Sequence, residues 1–125
     1  MTEINPVPPP PFTFRDAYSR APQVLTEAYA VLRLQVLTGD AHSTPDERRE
    51  YLLRHAALAD RQAETTSKRD DIAKAERTAE RLLDHDRQHG VTAGLYGQDH
   101  PVWTHHGVRG YVRQEYATWY PDHLN

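Results

Sequence analysis

Hydrophobic residues recur at helical spacing along much of the chain, most clearly between Asp46 and His89. This stretch contains neither Gly nor Pro and is rich in Ala, Arg, Glu and Leu, which predicts helix. Its apolar residues form two groups: Leu52, Leu53, Ala56, Ala57, Ala59 and Ala63, followed by Ile72, Ala75, Ala79, Leu82 and Leu83. At about 100° per residue, the two groups face directions more than a right angle apart.

This change of direction leaves two interpretations of residues 46–89. The chain turns near Thr65, Thr66 and Ser67, where Ser67 and Asp70 match a capping box, or a single long helix shows its halves to different neighbours. A single helix would be too long for one compact domain and would need a partner subunit. We favour the turn, because the capping pattern lies where the apolar stripe breaks.

A preceding helix is predicted from Ser19 to Thr38, with Gly39 as a left-handed C′ residue. Its second half, Ala28 to Leu37, is apolar almost all round, so one neighbouring helix would not cover it. We therefore expect a homodimer. The expected interface residues are Leu32, Leu34, Leu37, Leu52 and Leu53.

The two ends of the chain differ in character. Residues 1–14 are rich in proline and predict an extended arm in polyproline II conformation. Glycines after Gly90 indicate a connection, and a last helix is predicted from Pro101 or Val108 to Tyr120, where Pro121 stops it. The expected fold is all-α: a small antiparallel bundle of three to four helices formed by residues 15–125, preceded by the arm.

Composition narrows the classes of function. The 125 residues carry a net charge of −3 that is evenly spread, so no segment offers the basic surplus of a nucleic-acid or membrane-surface binder. A DNA-binding regulator is therefore only a weak alternative. There is no cysteine, the first residues lack a signal-peptide pattern, and the longest apolar run is too short for a membrane span. We expect a cytoplasmic protein, and the preference for Arg over Lys is typical of GC-rich bacteria.

Eight histidines are the feature that most suggests chemistry. His85 and His89 share a helix face, and His55 and Asp60 could supply further ligands to a divalent metal. This spacing resembles that of four-helix-bundle metalloproteins of the hemerythrin and DinB-like kinds, although their full ligand set is absent. All three histidines fall on the flanks of their apolar stripes, where half-solvated side chains are usual. We therefore expect no cofactor, with a divalent metal as the alternative.

Other catalytic signals are sparse. A second histidine cluster, His100 to His106 with Trp103, could line a pocket, but no carboxylate stands at a spacing that marks it as a partner. The serines lie at predicted helix starts, and neither a nucleophile elbow nor a phosphate-binding loop occurs. The sequence thus favours a non-catalytic, self-associating helical interaction module. A histidine-dependent metal-binding protein or metalloenzyme is the alternative.

Overall fold

The structure is a computed structural model that describes residues 6–91 and 94–122, with side chains described as far as residue 120. These residues form six helices and no strand. The helices are α1 (Phe14–Tyr18), α2 (Val24–Thr38), α3 (Pro45–Thr66), α4 (Arg69–His89), α5 (Pro101–His106) and α6 (Arg109–Asp122). The all-α prediction is confirmed, but the described residues contain more helices than the three or four expected.

The start of α3 follows its predicted capping box. The side chain of Thr44 accepts a hydrogen bond from the backbone N–H of Glu47 at 3.1 Å. In return the Glu47 carboxylate accepts one from the backbone N–H of Thr44 at 2.8 Å. Pro45 occupies the first turn, where it has no N–H to leave unpaired.

The stretch between residues 46 and 89 divides into α3 and α4, as the turn interpretation predicted. The mechanism differs from the expected Ser67 capping box. Ser67 adopts a left-handed conformation with φ 55° and ends α3, and Lys68 is the N-cap of α4. The Thr66 hydroxyl closes the turn, since it accepts from the Lys68 N–H at 3.2 Å and donates to Asp71 at 2.6 Å.

The predicted helix from Ser19 to Thr38 was wrong in its first part. Ser19 ends the short helix α1, which Thr13 caps through a 3.1 Å bond from the Asp16 N–H. α2 begins only at Val24, beyond Pro22, which therefore lies between the helices. The helix end also differs, because Gly39 has a right-handed conformation with φ −73°.

The two ends of the chain also depart from their predictions. Phe14, predicted as the last residue of the arm, belongs to α1, and the partly buried Val7 and Phe12 pack against the core. The last helical region is split at Gly107, whose φ of 104° suits glycine and ends α5. α6 then continues through Pro121 to Asp122.

The core lies where α6 packs on α1, α3, α4 and α5. Its main buried members come from the predicted stripes and the C-terminal aromatic segment: Leu53, Ala56, Ala57, Ala79, Leu82, Val102, Trp103, Tyr111, Val112 and Tyr116. α2 is arranged differently. Among the described helices it packs on α3 alone, which leaves its other side open.

Candidate functional site

α2 carries a stripe of large apolar side chains that no described helix covers. The stripe consists of Leu25 (66% exposed), Tyr29 (66%), Leu32 (57%) and Val36 (78%). These residues are separated by four, three and four positions, which is the repeat of helices that pair in coiled coils. We call these four residues the α2 stripe.

The α2 stripe points away from the rest of the molecule. Val31 and Leu34, with Glu27, are the buried residues of α2. At about 100° per residue, the centre of this buried set lies roughly 165° from the centre of the α2 stripe. One side of the helix thus packs on α3 and the opposite side presents apolar surface to solvent. Exposed apolar surface of this kind marks interaction sites in proteins.

Charge is almost absent from the open side of α2. The helix contains two charged residues, Glu27 and Arg33, and Glu27 is fully buried. The Glu27 carboxylate accepts from Arg54 of α3 through Nε at 3.2 Å and Nη2 at 3.0 Å. Burial lowers the pKa of Arg54, but the hydrogen bond and charge of Glu27 outweigh it and raise the pKa overall. Arg33 therefore provides the one charge on the exposed part of the helix.

The five residues predicted for an interface occupy different environments. Leu34 and Leu53 are buried inside the chain, and Leu52 is partly buried against the core. Only Leu32 and Leu37 are exposed. Leu25, Tyr29 and Val36 were not among the interface residues predicted from the sequence. Their signal was present, since they repeat at heptad spacing on the side of α2 opposite Val31 and Leu34.

Four fully buried carboxylates form a second feature of the molecule: Glu27, Asp60, Asp86 and Glu115. Each is held by arginine from another helix. Each also lies in phase with the apolar stripe of its own helix, as Asp86 does with Leu82 and Leu83. An acidic residue in an apolar stripe is a sequence signal of a buried ion pair, because a buried charge requires a partner.

Asp60, predicted as a metal ligand, is the centre of one such ion-pair cluster. Its carboxylate accepts from the Tyr18 hydroxyl at 2.8 Å, from Arg109 Nε at 2.6 Å and from Arg113 Nε at 2.9 Å. Burial and the neighbouring Asp60 charge raise the pKa of Tyr18 well above its usual value, so this phenol stays protonated. The arrangement holds α1, α3 and α6 together.

Asp86 and Glu115 form a second cluster around Arg49. Arg49 donates to Asp86 through Nε at 2.9 Å and Nη2 at 2.8 Å, and to Glu115 at 2.7 Å. Glu115 also accepts from the Gly94 N–H at 2.9 Å, and the hydroxyl of Tyr111 donates to Asp86 at 2.5 Å. This cluster links α3, α4 and α6 and anchors the segment that follows residue 93.

The predicted metal ligands do not converge. His85 and His89 stack at 4.2 Å between ring centroids, with His85 Nδ1 3.1 Å from an Asp86 oxygen and His89 Nδ1 2.8 Å from the His85 carbonyl. His55 instead stacks on Tyr51 at 5.4 Å. Over residues 6–91 and 94–120, no three histidine or carboxylate side chains are grouped as they would be to hold a metal ion.

The second histidine cluster lies beside a cleft with a volume of about 600 Å³ between α4, α5 and the segment before α5. His100 lines it together with Trp103, Arg87 and Asp99. Nδ1 of His100 accepts from the Val102 N–H at 3.1 Å, so the neutral ring carries its proton on Nε2. Arg87 donates to Asp99 at 2.8 Å across the rim.

No family model matches this chain, and neither a curated protein nor a solved structure matches it. In the part of the chain that the structure describes, no helix is long and apolar enough to cross a membrane.

Proposed function

We propose that this protein is a non-catalytic helical module that self-associates through the α2 stripe. One observation carries the proposal. Among the described helices, α2 packs on α3 alone, and it presents Leu25, Tyr29, Leu32 and Val36 to solvent at heptad spacing. Two copies related by a two-fold axis would place the same stripe on both sides of the interface, so each stripe would cover the other.

The charge pattern of α2 supports a second copy as the occupant. A partner for a nearly uncharged apolar helix face needs a face of the same kind, and the chain itself supplies one. Arg33 lies beside the stripe and does not lie within it, so two stripes can meet without burying a charge. Val24 and Leu37, also exposed, extend the apolar surface on the two flanks of the stripe.

The size of the stripe sets the expected affinity. α2 has 15 residues, which corresponds to a helix about 22 Å long. A contact of this length and one helix width is smaller than the ~800 Å² per partner of a standard interface. We therefore expect a reversible dimer with a dissociation constant between about 1 µM and 1 mM.

Sedimentation equilibrium over a wide concentration range tests the proposal. The wild-type protein is expected to show a monomer–dimer equilibrium. Leu32→Glu is expected to be monomeric with an unchanged helical spectrum, because Leu32 is exposed and its replacement leaves the core intact. Leu95→Glu is the matched control, since Leu95 is 74% exposed but lies outside α2, and this variant should dimerise like the wild type.

A wild-type protein that stays monomeric up to about 1 mM would contradict the proposal. So would a Leu32→Glu variant that dimerises as the wild type does. If both leucine variants weaken association equally, the interface lies elsewhere or the effect is one of net charge.

A further inference from the structure

Five arginines of this protein are partly buried, and one of them differs from the rest. Arg49, Arg54, Arg109 and Arg113 each donate to a fully buried carboxylate at 3.2 Å or less. Arg61 of α3 has no such carboxylate among the described residues. Its Nη1 is buried without a hydrogen-bond acceptor. Its guanidinium carbon lies 5.8 Å from the centroid of the Tyr18 ring, which is a cation–π contact.

The carboxylates nearest to Arg61 along α3 are engaged with other cations. Asp60 accepts from Tyr18, Arg109 and Arg113. Glu64 lies 3.6 Å from Nη2 of Arg109. The positive charge of Arg61 is therefore not neutralised by a carboxylate of the described chain. Because Nη1 is buried, an external acceptor can reach only the exposed part of the guanidinium, and no carboxylate of the described chain occupies that part.

An open cleft gives access to this guanidinium. The cleft has a volume of about 350 Å³ and lies between α1, the start of α2 and the end of α3. Arg15 is a second cation in its lining, and Phe14, Tyr18 and Val24 provide apolar walls. Of the three hydroxyls in the lining, those of Ser19 and Thr65 donate to backbone carbonyls, and that of Tyr18 donates to Asp60. Recognition of a ligand in this cleft therefore falls to the two arginines.

We propose that this cleft binds a small organic anion, with a carboxylate or phosphate group against Arg61 and Arg15. Guanidinium groups bind both kinds of anion through charge-assisted hydrogen bonds. The cleft is larger than a bare phosphate requires, and its apolar walls suit a ligand that carries a short hydrocarbon or aromatic portion. None of the four residues of the α2 stripe lines the cleft, and Val24, on the flank of the stripe, is the residue that belongs to both surfaces.

Two probes distinguish the sources of the anionic group: sodium benzoate for a carboxylate and inorganic phosphate for a phosphate. Each is titrated into the full chain at matched ionic strength with sodium chloride, and binding is followed by NMR of the Arg61 side-chain N–H groups. At least one probe should shift these signals saturably, with a dissociation constant of about 1 mM.

Arg61→Gln should weaken binding about tenfold or more, as expected for loss of one charge-assisted hydrogen bond. For this variant, binding is followed by the rise in melting temperature that the probe produces. Arg77→Gln, a control at an exposed arginine of α4, should bind like the wild type.

Thermal unfolding in chloride alone separates a ligand-binding arginine from a structural one. Arg61→Gln leaves no carboxylate unpaired and removes only the cation–π contact with Tyr18, so its melting temperature should fall much less than that of a variant that breaks a buried ion pair. Arg113→Gln, by contrast, removes a partner of buried Asp60 and should melt lower. The proposal is overturned if neither probe binds, if Arg61→Gln binds as tightly as the wild type, or if Arg61→Gln melts as low as Arg113→Gln.

Discussion

Arg54 of α3 and Glu27 of α2 form a bidentate ion pair in which the carboxylate is fully buried, with N–O distances of 3.2 and 3.0 Å. Among the described residues this is the ion pair that joins α2 to the rest of the molecule. Apolar contacts of Val31 and Leu34 could tolerate rotation of α2 about its axis, whereas a forked guanidinium–carboxylate contact fixes one orientation. The pair therefore determines which side of α2 faces solvent.

Breaking this pair from the arginine side is expected to destabilise the protein strongly. Arg54→Met leaves the Glu27 carboxylate buried without its cation, and such a change costs about 3–5 kcal/mol. Urea unfolding measures the loss. Glu50→Gln is the control, because Glu50 also contacts Arg54, at 3.1 Å, but is partly exposed and lies one turn away on the same helix. It should change the free energy of unfolding by about 0.5 kcal/mol or less. Equal losses in the two variants would show that burial of Glu27 does not govern the energetics of this contact.

The packing of the segment before α5 gives a prediction about two glycines. A Cβ atom on Gly94 would overlap the side chain of the buried Gln114, which holds the backbone N–H and C=O of Tyr96 at 3.0 and 2.8 Å. Gly94→Ala should therefore cost about 1–3 kcal/mol in chemical unfolding. A Cβ on Gly97 would meet no atom within 4 Å, so Gly97→Ala should remain within about 0.5 kcal/mol of the wild type. If Gly94→Ala leaves the free energy of unfolding unchanged, the side chain of Gln114 can move aside.

Stability should depend on pH through His55. Burial, together with the charges of Lys74 and Arg81, lowers the pKa of His55 below its ordinary value of 6.5. The unfolded chain thus takes up the proton first, and the stability that neutral His55 provides is lost as pH falls from about 6.5 through the lower folded pKa. Unfolding measured between pH 7.5 and 5 should show a smaller acid-induced loss in His55→Gln than in the wild type. His105→Gln, at an exposed site, should follow the wild-type curve, and identical curves for both variants would exclude this role of His55.

The sequence predicted those features that depend on residues close along the chain. The capping box of Thr44 and Glu47 correctly predicted the start of α3. The apolar stripe changes direction between Ala63 and Ile72, and this change correctly predicted the turn between α3 and α4. The start of α2 could not be found this way. Ser19 has the chemistry of an N-cap, but burial of Tyr18 against Asp60 and Tyr116 makes it the end of α1 instead. Those contacts join residues far apart in the sequence.

The same limit applies to the candidate site. The apolar second half of the α2 region predicted more than one neighbour, which stays a prediction, and spacing alone did not show which side α3 would take. Leu34 and Leu53 were therefore grouped with Leu32, although they lie in the core. Asp60 looked like a metal ligand because its arginine partners, Arg109 and Arg113, stand about fifty positions later in the chain. An acidic residue within an apolar stripe indicates a buried charge, but no local pattern identifies partners at such separation.

The order in which the helices follow one another has a consequence for synthesis on the ribosome. α2, α3 and α4 contact their sequence neighbours and can assemble as soon as they emerge, whereas α6 emerges last and packs on α1, α3 and α4. Until then Asp60 has neither of its arginine partners, so its carboxylate must remain hydrated in the middle of the apolar stripe of α3. A charge within an exposed apolar segment disfavours aggregation, so we expect Asp60 to protect the α3 stripe until α6 is made. When α6 packs on α3, Arg109 and Arg113 pair with this carboxylate, and the core can then be buried.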